Sequence, residues 1–259
     1  MVASKYLNDI DVKSSVGVVC KSKSFGDFKI VEYNGCYNVA IEFLETGYRK
    51  SCDAKEVKTG SVKDKLLPTV LDIGIVGDKY HTKINGKNIK EYRHWFNMLN
   101  RCYNESLHLK QPTYAGCKTS ENFNHYTYFY EWCNEQIGFD NEGWHLDKDL
   151  LIKGNKIYSE NTCVFLPLEI NSLLSGNDKV RGNFPIGVSW HKASNKYSAS
   201  VNEFNKQKHL GLFDNEIDAF RKYKQAKEYQ IKNMAEIYKG LVDPRAYEAL
   251  MNYTVEITD

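Results

Sequence analysis

The sequence predicts an α+β protein with a small N-terminal β module, a central α+β region, and a C-terminal three-stranded sheet packed on a long helix. Three observations predict this. Short runs of β-branched and aromatic residues alternate with polar ones at both ends of the chain, apolar residues recur at three- and four-residue spacings in the middle and again after residue 214, and Gly, Asn and Pro clusters separate these patterns. The chain has 259 residues, 42% hydrophobic and 26% charged, which is enough for a sizeable core. No apolar run approaches the eighteen or so residues of a membrane span, and the opening residues lack the basic-then-apolar pattern of a secretory leader. Seven cysteines without any CxxC pair do not read as a disulfide framework, and a reducing, cytoplasmic setting is expected.

Residues 1–68 form the β module. Asp27–Tyr33 and Tyr37–Phe43 flank Asn34-Gly35-Cys36, a hairpin signal. Residues 69–86, with Gly74, Gly77 and Gly86, read as a linker. Residues 87–176 form the central domain. Tyr92, Trp95, Phe96, Leu99 and Cys102 mark one helix, and Phe123, Tyr126, Phe129, Tyr130, Cys133 and Ile137 mark a second, capped by Ser120. Trp144–Ile152 reads as a strand, 153–156 as a turn, Asn161–Leu166 as another strand, and a helix follows through Asn171 to Leu174. Turn residues at 175–178 and 181–183 place a second linker at 177–184. In residues 185–259, three strand patterns near 186–191, 196–201 and 208–213 lead to a long helix capped by Asp214 and then to a short helix opened by Asp243-Pro244.

The net charge of +2 hides an asymmetry. Arg181–Lys239 carries eleven Lys or Arg against six Asp or Glu, a balance of +5, which leaves −3 for the rest. A basic module on a nearly neutral body points modestly toward nucleic acid, and a plain solvated surface explains the charge equally well.

The segment His145-Leu146-Asp147-Lys148-Asp149, the turn after it, and Tyr158 to Val164 with Asn171 beyond follow the layout of a ββα metal site, in which one divalent cation sits against a scissile phosphate. Asp and Asn in turns also commonly bond the local backbone, and spacing alone does not separate the two readings. From Tyr92 to Leu174 the chain resembles a phage-type variant of the HNH, or His-Me finger, endonucleases. The residues that carry the resemblance are Trp95, Met98, Arg101, Cys102 and Tyr103, then Pro112-Thr113-Tyr114, then Leu146–Asp149, then Tyr158, Ser159 and Cys163. The resemblance implies phosphodiester hydrolysis with Mg2+ or Mn2+, including the free-standing and intron-associated homing type. The family's structural Asn falls on Thr162 by strict spacing, with Asn161 one residue early, and the polar residue of the last helix falls on Asn171.

The family's general-base histidine falls on Lys148. Lysine is already protonated at neutral pH, and Asp147 and Asp149 on either side reinforce that charge, so Lys148 is a cation expected to pair with phosphate or with those carboxylates. His145 shares a strand face with Asp147 under a period of two and is the remaining base candidate. The expectation is that Asp147 and Asn171 hold the metal, His145 activates water, and Lys148 steadies transition-state charge. Cys102, Cys117, Cys133 and Cys163, with His94, His108 and His125 nearby, lack the short ligand pairs of a zinc site, so buried thiols are expected and a structural zinc is not.

Gly187 to Trp190, Lys196 to Val201, Leu210-Gly211-Leu212-Phe213-Asp214, Ala219 and Tyr223 resemble the apetala-two, or ethylene-response-factor, DNA-binding domain. That family lays its sheet in the major groove of double-stranded DNA. The resemblance implies contacts from Ser189, His191, Lys192, Lys196, Ser198, Ser200 and Lys208, with Trp190 and Tyr197 either joining them or packing the sheet on its helix. Serine and lysine read bases less sharply than bidentate arginine, so modest sequence discrimination is expected. Two readings stay open, a metal-dependent DNA endonuclease and a catalytically degenerate DNA-binding protein. An RNA target and the oligomeric state are also open at this stage.

Overall fold

The computed structural model describes residues 10–174, 184–203 and 206–259. It is α+β as expected, and it divides into two compact units. One holds the chain up to Ala115 with Thr119–Tyr130, and the other holds Gly116–Lys118 with Glu131–Asp259. The expected turns at 175–178 and 181–183 lie outside the described residues. Among the described residues no helix is long and apolar enough to cross a membrane.

In the first unit β1 (Val19–Lys21), β2 (Asp27–Tyr33), β3 (Val39–Phe43) and β4 (Arg49–Cys52) form an antiparallel meander in chain order, followed by α1 (Ala54–Thr59). Alternation buries Phe28, Ile30, Val39, Ile41 and Phe43 on one face. The hairpin forms where Asn34-Gly35 predicts it, with the Asn34 amide donating to the Asn38 carbonyl at 2.9 Å. The expected linker holds a second hairpin, β5 (Lys83–Ile84) and β6 (Lys87–Asn88), turned by Asn85 and Gly86 at φ 50° and 76°.

Next come α2 (Lys90–Tyr103), α3 (Glu105–Lys110), β7 (Lys118–Thr119), α4 (Glu121–Asn124) and α5 (Tyr126–Glu135). The α2 face of Trp95, Met98, Leu99 and Cys102 is buried, and the Trp95 indole donates to the Phe123 carbonyl at 2.8 Å. Ser120 caps α4 as expected, but the single expected helix is two. His125 is extended, so that the Ile75 amide can donate to the Asn124 carbonyl and the Tyr126 amide to the Ile75 carbonyl.

The second unit contains β8 (Trp144–Asp147), β9 (Ile157–Tyr158), β10 (Val164–Pro167), α6 (Leu168–Leu174), β11 (Val188–His191), β12 (Lys196–Glu203), β13 (Lys206–Phe213), α7 (Glu216–Ile237) and α8 (Pro244–Met251). β8 stops five residues before the expected Ile152. The Asp147 side chain captures the amides of Asp149 and Leu150 and turns the chain. β8 pairs antiparallel with β10, and β11, β12 and β13 form the expected three-stranded sheet. The cap of α7 is Asn215, whose side chain accepts the Asp218 amide, because the neighbouring Asp214 pairs with Lys196 at 3.0 Å.

α7 serves two cores. Its N-terminal part, with Ala219, Phe220 and Tyr223, packs on Val188, Ala199 and Val201 of the sheet. Its C-terminal part, with Ile231 and Ala235, packs on Val164, Leu166 and Ile170 and on Ala246 and Leu250 of α8. Gly187 sits at the entry to the sheet with φ 75°, and a methyl group there would run into the Tyr223 ring. Gly187→Ala is therefore expected to destabilise the second unit by about 2–4 kcal/mol, from backbone strain plus overpacking. Gly154→Ala has a similar φ but open space around it, and it should cost about 1 kcal/mol. Urea denaturation of the two variants checks the difference.

Candidate functional site

The strand-turn-strand segment is stitched from inside. Lys148 is 4% exposed, and its Nζ donates to Asp149 Oδ1 at 2.6 Å and to the Asn155 carbonyl at 3.0 Å, with the Tyr158 ring 5.6 Å away. Asn155 answers from the other side. Its Nδ2 donates to the carbonyls of Lys148 and Ile157 at 2.8 and 2.7 Å, and its Oδ1 accepts the Ile157 amide. The expected pairing of Lys148 with a carboxylate is present, at Asp149. Its expected reach toward phosphate meets a different arrangement, because the ammonium is enclosed by the turn.

Two further positions differ from expectation. Thr162, not Asn161, closes the second turn. Its Oγ1 donates to the Ile157 carbonyl at 2.7 Å and accepts the Ser159 amide at 3.1 Å, while Asn161 is exposed. Asn155 was not singled out in the sequence, and its only signal was an Asn following Gly154 in a turn.

Asp147 ends β8. Its Oδ1 accepts the Asp149 and Leu150 amides at 2.9 and 2.8 Å, and its Oδ2 has no hydrogen-bond partner among the described residues. Dense surroundings push the carboxyl above its ordinary value of 3.8. Burial is the main cause and Asp149 adds to it, against the lowering effect of the two amides and Lys148. A carboxylate held where its charge is disfavoured has the electrostatic character of a functional site.

His145 lies two residues earlier on the same strand face, opposite Leu166 as Asp147 is opposite Val164, and it has no hydrogen-bond partner among the described residues. Asn171 is on α6, which packs against both strands. Among the described residues no three His, Cys, Asp or Glu side chains are grouped to hold a metal ion. Asp147 Oδ2 still fits a Mg2+-type ion, which keeps several waters and takes one or two carboxylates together with substrate phosphate oxygens.

Cys102, Cys117, Cys133 and Cys163 are buried, and burial pushes the Cys163 thiol up to about 12. His108 bonds the Arg101 carbonyl through Nε2 at 2.8 Å.

The C-terminal sheet sorts its residues by register. Ser189, Ser198 and Leu212 are opposite one another, as are His191 and Lys196, Ser200 and His209, and Asn202 and Gln207. These residues form the face turned away from α7. The expected Ser189, His191, Lys196, Ser198 and Ser200 are therefore together on it, and Lys192 lies exposed in the turn after β11. Trp190 and Tyr197 occupy the opposite parity. Their rings meet edge-on at 4.9 Å, and Tyr197 packs on the core of the sheet and helix.

Lys208 is opposite Val201, also on that second face, and pairs with Glu203 at 2.9 Å. A register shift between Ala199 and Ser200 changes the parity of β13 and brings His209 and Gln207 to the outer face instead. Side chains there already bond one another, with Gln207 Nε2 donating to Ser200 Oγ at 2.9 Å and His209 Nδ1 lying 3.2 Å from Ser198 Oγ. The outer face is thus a polar, hydrogen-bonding surface with one apolar residue, Leu212.

Comparison of the chain with family models, with curated proteins and with solved structures finds no match.

The Asp147 environment has a consequence for stability. A raised carboxyl contributes stability that is fully present below the unfolded value of 3.8 and is lost as pH rises through the folded value. Asp147→Asn keeps an acceptor for the two turn amides and removes the disfavoured charge. It is expected to unfold at a higher temperature than the wild type at pH 7, with the difference closing as pH falls toward 3.8. Thermal unfolding across pH checks this.

Proposed function

We propose that the protein binds double-stranded DNA through the outer face of the β11–β13 sheet and hydrolyses its backbone at Asp147, as a metal-dependent endonuclease of the HNH type. The observation that carries this reading is Asp147 itself. It is a carboxylate kept in a disfavoured environment at a strand end, with one oxygen spent on the turn, the other uncommitted, and His145 on the same strand face.

In this reading Asp147 Oδ2 and Asn171 hold Mg2+ or Mn2+, which supplies Lewis-acid stabilisation of phosphoryl charge. The His145 ring takes the proton from the attacking water. Lys148 braces the turn that aims Asp147. The sheet supplies the docking surface. Lys196, His191 and the exposed Lys192 meet phosphates, and the serines, Asn202, Gln207 and His209 offer hydrogen bonds to base edges, so binding weakens with salt and discriminates sequence modestly. The activity belongs to the cytoplasm, that of the host cell for a phage-encoded or homing enzyme.

A second reading, DNA binding without cleavage, is favoured by one observation. The motif position of the base holds Lys148, whose ammonium is enclosed.

Plasmid nicking separates the two. Purified wild type in Mg2+ and then Mn2+ is expected to nick supercoiled DNA, with EDTA and Asp147→Ala abolishing the reaction and His145→Ala slowing it by about a hundredfold or more. Intact plasmid under every condition, together with a salt-sensitive shift of labelled duplex, would establish the binding protein instead.

A further inference from the structure

A cavity of about 220 Å³ lies in the second unit beside α7. Leu173 and Leu174 at the end of α6, Ile186 before β11, and Ile231 of α7 supply apolar wall, and the Tyr253 ring closes one side. Two of its charged residues satisfy each other, since Lys153 Nζ is 2.6 Å from Asp259 Oδ1 and also donates to the Thr254 carbonyl at 3.1 Å. Lys227 is different. It follows Tyr223 and precedes Ile231 at four-residue spacing, on the α7 stripe that lines the cavity, and it has no hydrogen bond or ion pair among the described residues.

The lysine one turn earlier shows the contrast. Lys224 donates to the Val255 carbonyl at 2.6 Å and pairs with Glu228 at 3.1 Å. Burial draws the Lys227 ammonium below the ordinary lysine range. Three residues further on, Gln230 Oε1 is buried without a hydrogen-bond partner. A half-buried ammonium that has no acceptor in the protein is less well solvated than a free one, and an incoming anion offsets that loss.

We propose that this cavity is a binding site for a small anion with an apolar or aromatic body, its head group on Lys227 Nζ and its body between Leu174, Ile186 and Ile231. At about 30 Å³ per water, the space equals roughly seven waters. That suits a single ring with a carboxylate or phosphate head and is too small for a dinucleotide. The proposed contacts use neither the outer sheet face nor Asp147, so the proposal stands whether or not the chain cleaves DNA.

Isothermal titration calorimetry of the full chain tests it, with phenyl phosphate, benzoate, inorganic phosphate and benzyl alcohol as separate probes. Phenyl phosphate or benzoate is expected to bind more tightly than inorganic phosphate or the uncharged alcohol, and the tighter of the two identifies the head group. Lys227→Met should weaken that binding by about tenfold or more, the scale of a charge-assisted hydrogen bond, with no loss of thermal stability. Lys222→Met, an exposed change on the same helix, should leave it unchanged, and Ile186→Phe should weaken it by filling the apolar end. Wild type that binds none of the probes at millimolar concentration overturns the proposal. So does binding that survives Lys227→Met, or inorganic phosphate that binds as tightly as the ring-bearing anions.

Discussion

The geometry of the candidate site depends on where the Lys148 ammonium is placed. It lies inside the turn after β8, against the Asp149 carboxylate and the Asn155 carbonyl, while Asn155 returns bonds to the backbone on both sides. Only the ammonium is enclosed, since Asp149 is half exposed, and the enclosed charge favours this arrangement because any other leaves the ammonium unpaired. Here that arrangement points Asp149 and Lys148 into each other in the turn and leaves Asp147 and His145 on one face of β8. The chemistry proposed for Asp147 rests on this division of labour, in which two neighbours pair with each other and Asp147 keeps one oxygen uncommitted.

The helix α7 couples this segment to the sheet. Its two halves serve different cores, with Phe220 and Tyr223 under β11 and β12 and with Ile231 and Ala235 against β10, α6 and α8. A continuous helix through both cores makes the strand-turn-strand segment and the three-stranded sheet parts of one compact unit, although the sequence divides them at a linker. The DNA-binding surface and the cleaving carboxylate proposed for this unit would gain from such rigid support, since displacements of about 1 Å at a reacting group cost large factors in rate.

Much of the fold was legible because local chemistry decides it. Asn34-Gly35 and Asp243-Pro244 set their turn and cap by φ preference and by short side-chain bonds, and period-two alternation located the inner faces of the β strands. What escaped the sequence was decided by partners far along the chain. His125 breaks a helix because Ile75 pairs across it, and Asn215 takes the cap of α7 because Asp214 is drawn to Lys196. The sheet shows the same limit in its clearest form. The resemblance to the apetala-two domain implied Ser189, Ser198, Ser200 and Lys208 on one face, and a single register shift beside Ser200 puts His209 and Gln207 there in place of Lys208. Of the candidate site residues, His145 and Asp147 share a strand face as period-two spacing expects. The enclosure of Lys148 and the bracing by Asn155 were not, because both depend on how the turn folds back.

The enclosed cation at Lys148 is the central claim, and the relative stability of Asp149→Ala and Lys148→Met in urea tests it most directly. Removing Asp149 leaves a buried ammonium with the Asn155 carbonyl and the Tyr158 ring but no countercharge, and should cost about 3 kcal/mol. Removing the ammonium leaves Asp149, whose side chain is 54% exposed, to water and should cost about 1–2 kcal/mol. That order, with Asp149→Ala the less stable variant, is the result this account predicts. Equal stabilities within error, or Lys148→Met the less stable, would contradict it and return Lys148 to the surface as a cation for phosphate.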